Sequence, residues 1–547
     1  MRLIILFLLW GISNVPEIAA LPAQKIVYPG DWLYEALAVL SQEQGVVFFS
    51  DSTVTVGQIE RILTEVNEET LSPGGKILYD RIWAGLQASP RLSLQLDAIS
   101  VDADPALQPE FYFKTNAETN WIYNYHQRQP FFALPVSLSI GPYITAEMVP
   151  FVGQNEYAAA LHNNYLNIPH DTSQFDLHFP KRAYLSAGLP FGKASGVHFA
   201  MGIGDNFFGR TQTGSVILSD TLEKVNYARL SLFSSYIKYT AEVTQYGADK
   251  YLYMHYLQMR PHKTVSLSFI EGVMVNAPLE LRYLNPLMIY HSYEAWKTYD
   301  DYNEEFIKNG NEEDKVDPTG GSRIGSYFGV KAEYQPVKHL RLYGLFAMTQ
   351  FQLGIERQNW KEDLTPNALA FQWGSEVSLP LDHGYWLFGV EGVYTYPYMY
   401  VLYHKDWSFY KEYPEVEKIT ARSWTGTPFG PDSIAGALWV GYHSFARWSW
   451  GFSFVFAAQG ERSGTNIFDT DNYRPSPEVY DVTRPLTGTP VYTSTFSVLG
   501  KWDPQEWLSF SLQPGYRIVN NARHLTGSTE HGLEVILSSR IKLPAKK

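Results

Sequence analysis

The sequence predicts an all-β transmembrane barrel of about 18 antiparallel strands, within a range of roughly 16 to 20, preceded by a small N-terminal periplasmic α-helical bundle. Three observations lead to this prediction. The chain begins with an export signal, its later segments alternate between bulky apolar and small or polar residues, and it is rich in aromatic residues. Tyr, Phe and Trp make up 15% of the 547 residues, whereas charged residues make up only 18%.

The first twenty residues, MRLIILFLLWGISNVPEIAA, have the organisation of a secretory signal peptide. Arg2 precedes an apolar run from Leu3 to Trp10, and the small residues that follow predict cleavage after Ala20. This run is far shorter than the roughly 20 residues that a transmembrane helix needs. We therefore expect a signal peptide over 1–20 and an exported mature chain.

Helical periodicity is confined to the start of the mature chain. The first helical segment has its apolar residues at helical spacing: Trp32, Leu33, Leu37 and Leu40. Thr55 and Gln58 have the spacing of a capping box, and Ser72 followed by Pro73 predicts another helix start. The sequence therefore predicts a three-helix periplasmic bundle over 21–90, and we expect this bundle to pack against the periplasmic rim of the barrel and to block its lumen.

Residues 91–547 replace this periodicity with alternation, as RWSWGFSFVFAAQG at 447–460 illustrates. A period of two is that of a β-strand, whose side chains point to opposite faces in turn. A bulky outer face and a small or polar inner face are typical of a transmembrane barrel, which leaves no strand edge unpaired in the bilayer. The alternative is an array of soluble secreted β-sandwiches, which would need linkers and polar outer faces. In this segment the bulky positions are Trp448, Trp450, Phe452, Phe454 and Phe456.

Composition and motifs exclude several classes of function. The net charge of −13 disfavours nucleic acid as a partner, because phosphate binding needs clustered Lys and Arg. The absence of cysteine excludes a disulfide framework.

Neither a Gly-x-Ser-x-Gly elbow nor a His-Glu-x-x-His motif occurs, so we expect no enzymatic activity. A hydrolase whose site is assembled from distant strands stays a third hypothesis. We expect no cofactor and no metal site, since the acidic run at 300–317 lacks EF-hand spacing.

Long polar connections carry the candidate ligand contacts. They are predicted at about 293–324, 352–366, 397–434 and 459–490, and loops of this length are usually functional or disordered. Their tryptophans could stack on the flat faces of sugar rings, with polysaccharide as the ligand. The alternative is that these rings simply pack the loops into a lid over the barrel mouth. The candidate residues are Trp296, Trp360, Trp407 and Trp424.

The central region resembles the capsule assembly protein Wzi family in the order of three motifs. A glycine-rich stretch leads into a Gly-Ser-x-Ile-Leu-Ser segment, an Arg-Pro strand with a later glutamate follows, and an Asn-Pro stretch comes third. The residues that carry these motifs here are Gly214, Ser215, Ile217, Leu218 and Ser219, then Arg260, Pro261 and Glu271, and finally Asn285 and Pro286.

This resemblance implies a bacterial outer-membrane barrel that binds extracellular polysaccharide or assembles it at the cell surface. Outer-membrane lipid and the outer-membrane insertion machinery would be its partners. The alternative is a substrate-specific channel, and the lumen separates the two hypotheses. We expect the inward residues to be mainly Ser, Gly, Thr and Ala, together with Glu271, Glu391 and Arg341.

Overall fold

The computed structural model describes residues 22–49, 52–88, 90–116, 129–154, 165–176, 180–192, 194–222, 224–290, 324–351, 366–402, 408–414, 420–462 and 484–543. The predicted signal peptide and the acidic run at 300–317 lie outside the described residues, as do Trp296, Trp360 and Trp407. Among the described residues, no helix is both long and apolar enough to cross a membrane.

Three helices form the N-terminal bundle: α1 (Trp32–Gln44), α2 (Val56–Glu65) and α3 (Pro73–Leu86). Each begins at the kind of cap that the sequence predicts, since Asp31, Thr55 and Ser72 all accept a hydrogen bond from a backbone N–H of the first turn. Thr55 and Gln58 form the complete capping box. Short 3₁₀ turns also occur at Glu68–Thr70, Thr172–Gln174, Leu281–Leu284 and Ala522–His524.

The rest of the described chain is almost entirely antiparallel β-structure. A two-stranded pair, β1 (Ile26–Val27) and β2 (Val54–Thr55), flanks the helices. The strands of the first half of the large sheet are β3 (Leu92–Leu96), β4 (Ile99–Ala103), β5 (Ala106–Leu107), β6 (Glu110–Lys114), β7 (Phe132–Ala133), β8 (Val136–Ile140), β9 (Ile144–Val149), β10 (Phe151–Val152), β11 (Arg182–Phe191), β12 (Ser195–Gly204), β13 (Val225–Phe233), β14 (Ile237–Gly247), β15 (Lys250–His262) and β16 (Val265–Asn276).

The second half of the chain continues the same large sheet and adds one separate hairpin. The hairpin consists of β21 (Tyr410–Pro414) and β22 (Thr420–Trp424). The remaining strands are β17 (Ile324–Val337), β18 (Leu340–Gln350), β19 (Ala368–Leu381), β20 (Gly384–Thr395), β23 (Ser433–Ser444), β24 (Trp448–Gln459), β25 (Val491–Gln505), β26 (Leu508–Asn520) and β27 (Thr529–Lys542).

The first and last parts of this sheet pair with each other. Strand β27 pairs with β6 and β5, at Glu534 with Lys114 and at Ile541 with Leu107. Strand β4 pairs with β8, β8 with β9, and β9 with β11, from which strands pair in chain order to β20 and then from β23 to β27. The short strands β4 to β10 are interrupted at prolines, which lack the N–H needed for the ladder. Hydrogen bonds from Asp104 N to Pro135 O and from Leu134 N to Pro150 O continue the pairing across these breaks.

The two faces of the sheet follow the predicted alternation. On β24 the bulky positions face outward, and Trp448, Trp450 and Phe456 are 42%, 37% and 37% exposed. Phe454 on this face lies 4.8 Å from Phe496 of β25, measured between ring centroids. The outer face of the described wall is therefore apolar and aromatic.

Short turns and long connections lie at opposite ends of the sheet. The bundle contacts the short turns: the backbone N–H of Val47 donates to Lys263 O, and that of His339 donates to Gln42 O, each at 2.8 Å. Three of the four predicted long connections have nearly the predicted bounds, but the first begins after Asn276 rather than near 293. Pro278 lies just past the end of β16 and cannot donate to a continued ladder.

Candidate functional site

The connection between β12 and β13 lies against the inward face of the sheet and not outside it. We call residues 205–222 the inner segment. Its Val216, Ile217 and Leu218 are fully buried, in one cluster with inward side chains of the surrounding strands. The backbone N–H of Phe208 donates to Leu218 O at 2.9 Å, which closes the segment into a compact loop. The first motif of the family resemblance therefore forms a packed element in the interior.

Strand side chains hold the inner segment by its backbone. Tyr327 Oη donates to the carbonyls of Val216 and Ile217 at 2.9 and 2.7 Å. Gln372 accepts from Val216 N and donates to Gly214 O, both at 3.0 Å. The Glu391 carboxylate accepts the N–H groups of Gln212 and Thr213, both at 3.0 Å. These bonds satisfy backbone groups that are shielded from water, and such groups are costly to leave unpaired.

Gly214 of the motif is needed for conformation and for space. Its φ of +91° lies in the left-handed region, which disfavours side chains with a Cβ. An added Cβ would come within 2.5 Å of Ser219 Oγ and 2.7 Å of Pro428 Cδ. The close approach to Pro428 places the inner segment against the long connection between β20 and β23.

Buried charges surround the inner segment in balanced number. Glu333 lies 2.6 Å from Lys331 Nζ and 2.7 Å from Arg341 Nε. Arg210 of the inner segment forms an ion pair with Glu376, and Arg341 also donates to Arg210 O at 2.9 Å. With Glu391 these make three cations and three carboxylates, so this group of buried side chains carries no net charge.

The bundle contacts the inner segment, and the inner segment in turn contacts the chain at the β21–β22 hairpin. Phe207 of the inner segment packs edge-on against Tyr34 of α1, with 6.4 Å between ring centroids. At the other end, Ser219 N donates to Thr425 O at 2.8 Å. The interior along β13 to β20 is thus occupied from the short-turn end to the long-loop end.

Trp424 lies within this packing. It is only 9% exposed, and its ring meets Tyr410 edge-on at 5.8 Å between centroids. Gly430 is so close that a Cβ there would approach Trp424 Nε1 to 2.4 Å. A buried ring has no open face for a sugar, so the geometry of Trp424 favours the alternative of loop packing.

The other motif residues lie in two separate places. Arg260 and Pro261 are at the bundle end of β15, where Arg260 Nη1 donates to Val47 O at 3.2 Å. Glu271 was expected to face inward, but it shares a face with Leu267 and Phe269, whereas Ile270 is 1% exposed on the inward face. Alternation from Phe269 places Glu271 outward, beside His255 on β15. Asn285 and Pro286 also lie over this outer face, because the Tyr239 hydroxyl of β14 bonds to Pro286 O.

A cavity of about 450 Å³ opens between the bundle and the short turns. We call it the rim cavity. Trp32 and Trp507 line it and are 48% and 38% exposed. Its charged lining includes an ion pair of 3.0 Å between Arg447 and Glu506. Asp503, Arg540 and Lys542 complete the charged lining. This volume lies within the roughly 300–1,000 Å³ of typical ligand pockets.

Trp32 is positioned as a platform at the edge of this cavity. Its ring lies across Gly85 of α3, where a Cβ would come within 2.4 Å of Cζ2. Sequence periodicity groups Trp32 with Leu33, Leu37 and Leu40 in one buried stripe. Of these four residues, the three leucines are buried and Trp32 is not. Position 32 follows the cap directly and points away from that stripe, which a helical wheel of α1 would indicate. Trp507 lies in the two-residue turn between β25 and β26, and no sequence pattern marked it.

Metal binding has no candidate here, since among the described residues no group of three His, Asp or Glu side chains could hold a metal ion. The polar chemistry available in the rim cavity is therefore that of guanidinium, ammonium, carboxylate and amide groups beside two indole rings. Such a combination suits stacking on a sugar face and hydrogen bonding to hydroxyl or carboxylate groups.

Comparison with solved structures gives matches in fold. No family model and no curated protein matches the sequence. The carbohydrate-binding β-barrel Wzi, an outer-membrane protein involved in group 1 capsule assembly in Escherichia coli, matches with a TM-score of 0.57 and 13% identity, over 94% of this chain and 99% of that one. OprD of Pseudomonas aeruginosa matches with a TM-score of 0.41 and 8% identity, over 81% and 94%. The outer-membrane channel DcaP of Acinetobacter baumannii gives 0.35 and 7%, over 83% and 100%. Together with the antiparallel sheet, the first match shows that this chain has the fold of an outer-membrane β-barrel.

Proposed function

We propose that the chain is an outer-membrane β-barrel of 18 strands that binds extracellular polysaccharide or assists its assembly at the cell surface, as a distant relative of the Wzi family. The strand number follows if each proline-interrupted run, β4 to β6, β7 with β8, and β9 with β10, is counted as one strand and β3, which forms a hairpin with β4, is left out. Pairing of β27 with β5 and β6 then joins the last strand to the first. An apolar outer face supports location in a membrane, and a barrel without an edge meets the bilayer's demand for paired backbone groups.

The occupied interior is the observation that carries a binding function. A barrel of this size otherwise leaves an aqueous channel. Here the inner segment is hydrogen-bonded to Tyr327, Gln372 and Glu391, and the bundle covers its short-turn side. Such closure disfavours diffusion along this part of the lumen. We infer that the protein acts on polysaccharide by binding it, with no catalytic role.

The rim cavity is the proposed contact site for polysaccharide. Its Trp32 ring is supported from below by α3, and Trp507 offers a second ring. Three cations and two carboxylates line it, which favours an anionic sugar such as a uronic acid. The bundle end is expected to be periplasmic, so the polysaccharide would be held there during assembly.

Replacing Trp32 and Trp507 together with alanine should weaken binding of a uronic-acid-containing oligosaccharide by about 5- to 150-fold, from roughly 0.5–1.5 kcal/mol per aromatic contact. Titration of the purified protein in detergent, followed by calorimetry, measures this loss. Trp373→Ala is the matched control, because this ring is 56% exposed on the outward face. Equal affinities for the double variant and the intact protein would exclude the rim cavity as the site.

A channel is the second candidate, and one observation favours it. Two inward cations on the last strands are more exposed than the cations that face the inner segment. Lys501 and Arg540 are both exposed, whereas Lys331 and Arg341 are each 1% exposed. Water can therefore reach part of the inner face of β25 to β27. A large conductance of the intact protein in a planar bilayer would favour this function over binding.

The membrane location can be tested by arginine substitution at adjacent positions of β24. Phe454→Arg should destabilise the inserted barrel by about 2–4 kcal/mol, because the outward position would meet acyl chains near the midplane. Ser453→Arg, on the inward face, should have a smaller effect. Unfolding by denaturant in lipid vesicles measures both free energies, and similar losses at the two positions would contradict the assignment of the outer face.

A further inference from the structure

The chain that follows β16 turns back along the outer face of the wall. We call residues 277–290 the outer strap. Its Tyr283 ring lies 4.9 Å from that of Tyr253, and its Tyr290 ring lies 4.4 Å from that of His255, between centroids. Tyr253 and His255 are two residues apart on β15, on the same face as Leu257, which is 39% exposed. The strap therefore runs down the outer wall for at least about 7 Å along the strand direction.

Polar groups of the outer wall are paired beneath the strap. Tyr290 Oη is 2.8 Å from His255 Nε2 and donates to Tyr283 O at 2.7 Å. His255 is only 8% exposed, and it is the direct strand partner of Glu271. The strap thus covers His255, an outward-facing histidine of this part of the wall.

Part of the strap's backbone is hydrogen-bonded within the protein. The N–H groups of Tyr283, Asn285 and Met288 donate to carbonyls three residues earlier, at 3.3, 3.3 and 3.1 Å. Leu287 N donates to Asn285 Oδ1 at 3.1 Å, and Pro286 has no N–H. The Tyr239 hydroxyl of the wall donates to Pro286 O. These bonds remove part of the cost of placing irregular backbone beside an apolar medium.

The outward side of the strap carries large apolar side chains beside the ion pair of Arg282 with Glu280. Leu281, Leu287 and Ile289 are 81%, 88% and 64% exposed. The wall around the strap is apolar too, with Ile237 51% and Phe269 41% exposed. The strap's leucines thus continue the outer apolar face and project beyond it, and exposed apolar side chains on this scale mark a contact surface.

We propose that the outer strap is a lipid-contact element whose Leu281, Leu287 and Ile289 insert among the acyl chains of the membrane leaflet at the long-loop end. Continuity with the apolar wall selects lipid as the occupant, and the hydrogen bonds described above lower the cost of bringing this backbone close to hydrocarbon. By covering His255, the strap also removes a polar group of the wall from contact with acyl chains. The inference rests on the proposed membrane location.

Single cysteines allow a direct test, because the chain contains none. Leu287→Cys in the full chain is labelled with an environment-sensitive fluorophore and reconstituted into vesicles that contain lipids brominated on the acyl chain. We expect loss of fluorescence as large as at the wall control, Leu257→Cys, and little quenching by aqueous iodide. Lys76→Cys on α3 is the water-exposed control, which iodide should quench.

The outcomes separate this inference from the proposed function. Iodide quenching at position 287, with brominated-lipid quenching retained at 257, would overturn the strap's contact with lipid and leave the membrane location intact. Protection of position 287 from both quenchers would also overturn it and would indicate a protein neighbour, such as a second copy. Failure of brominated lipid to quench position 257 would instead contradict the membrane location itself.

Discussion

Glu333→Ala is expected to lower the free energy of unfolding by about 3–5 kcal/mol, the scale for removing one partner of a buried ion pair. The carboxylate is 4% exposed and is shared by Lys331 and Arg341, which are each 1% exposed. Without it, two neighbouring cations stay buried without their counter-charge. Denaturant unfolding of the reconstituted barrel, followed by tryptophan fluorescence, measures the loss.

Two further variants decide whether the loss arises from charge burial. Glu333→Gln keeps a hydrogen-bond acceptor but removes the charge, so we expect a loss smaller than that of alanine. Arg523→Gln removes an ion pair to Glu530 from the surface, where Arg523 is 65% exposed. Exposed pairs of this kind contribute about 0–1 kcal/mol. Comparable losses for Arg523→Gln and Glu333→Ala would contradict a stabilising role for the buried charges.

Local patterns in the sequence were sufficient to predict the helix caps and the alternation of the strands. The Thr55–Gln58 capping box depends only on residues three apart, and the structure contains it. The outward position of Phe454 depends only on alternation along one strand, and β24 confirms it. Both features are decided by neighbours in the chain, so no knowledge of the tertiary structure is needed to predict them.

Features that depend on distant segments were not predictable in the same way. Glu271 has the parity of Phe269 and so belongs to the outer face, but a carboxylate there is costly unless it is covered. The outer strap, which returns across the wall after β16, packs on His255, the strand partner of Glu271. The expectation that Glu271 faces inward was wrong, and alternation from Phe269 already indicates the outer face; what the sequence does not reveal is the return of the strap over the neighbouring His255.

The packing of the barrel interior could not be predicted from local sequence either. Gly214 and its neighbours were recognised as a motif, but nothing in their spacing indicates that they fold inward to meet Tyr327 and Gln372. Trp424 was a candidate for sugar stacking because its sequence surroundings are polar. Its burial follows from contacts with Tyr410 and Gly430, which only the folded connection brings together.

Removal of both internal elements should convert the barrel into an open pore, whereas removal of the bundle alone should not. Deleting residues 31–87 breaks the contact between Tyr34 and Phe207 and the bond from Gln42 to Glu376. The inner segment is still held by the wall, because Tyr327, Gln372 and Glu391 are strand residues. We therefore expect only a small rise in planar-bilayer conductance after this first deletion.

The register of β12 and β13 allows the inner segment to be deleted as well. Gly204 and Val225 are directly paired at the ends of β12 and β13, so a two-residue Asn-Gly turn can replace residues 205–224 without moving either strand. The variant that lacks both elements should conduct most, since a barrel of this strand number has room for an aqueous channel.

Heat-dependent mobility on gels checks that each variant still forms a barrel. A large conductance of the intact protein, or a closed barrel after both deletions, would contradict closure by these two elements. The first result would favour the channel, and the second would place the barrier in the β21–β22 hairpin that lies above the inner segment.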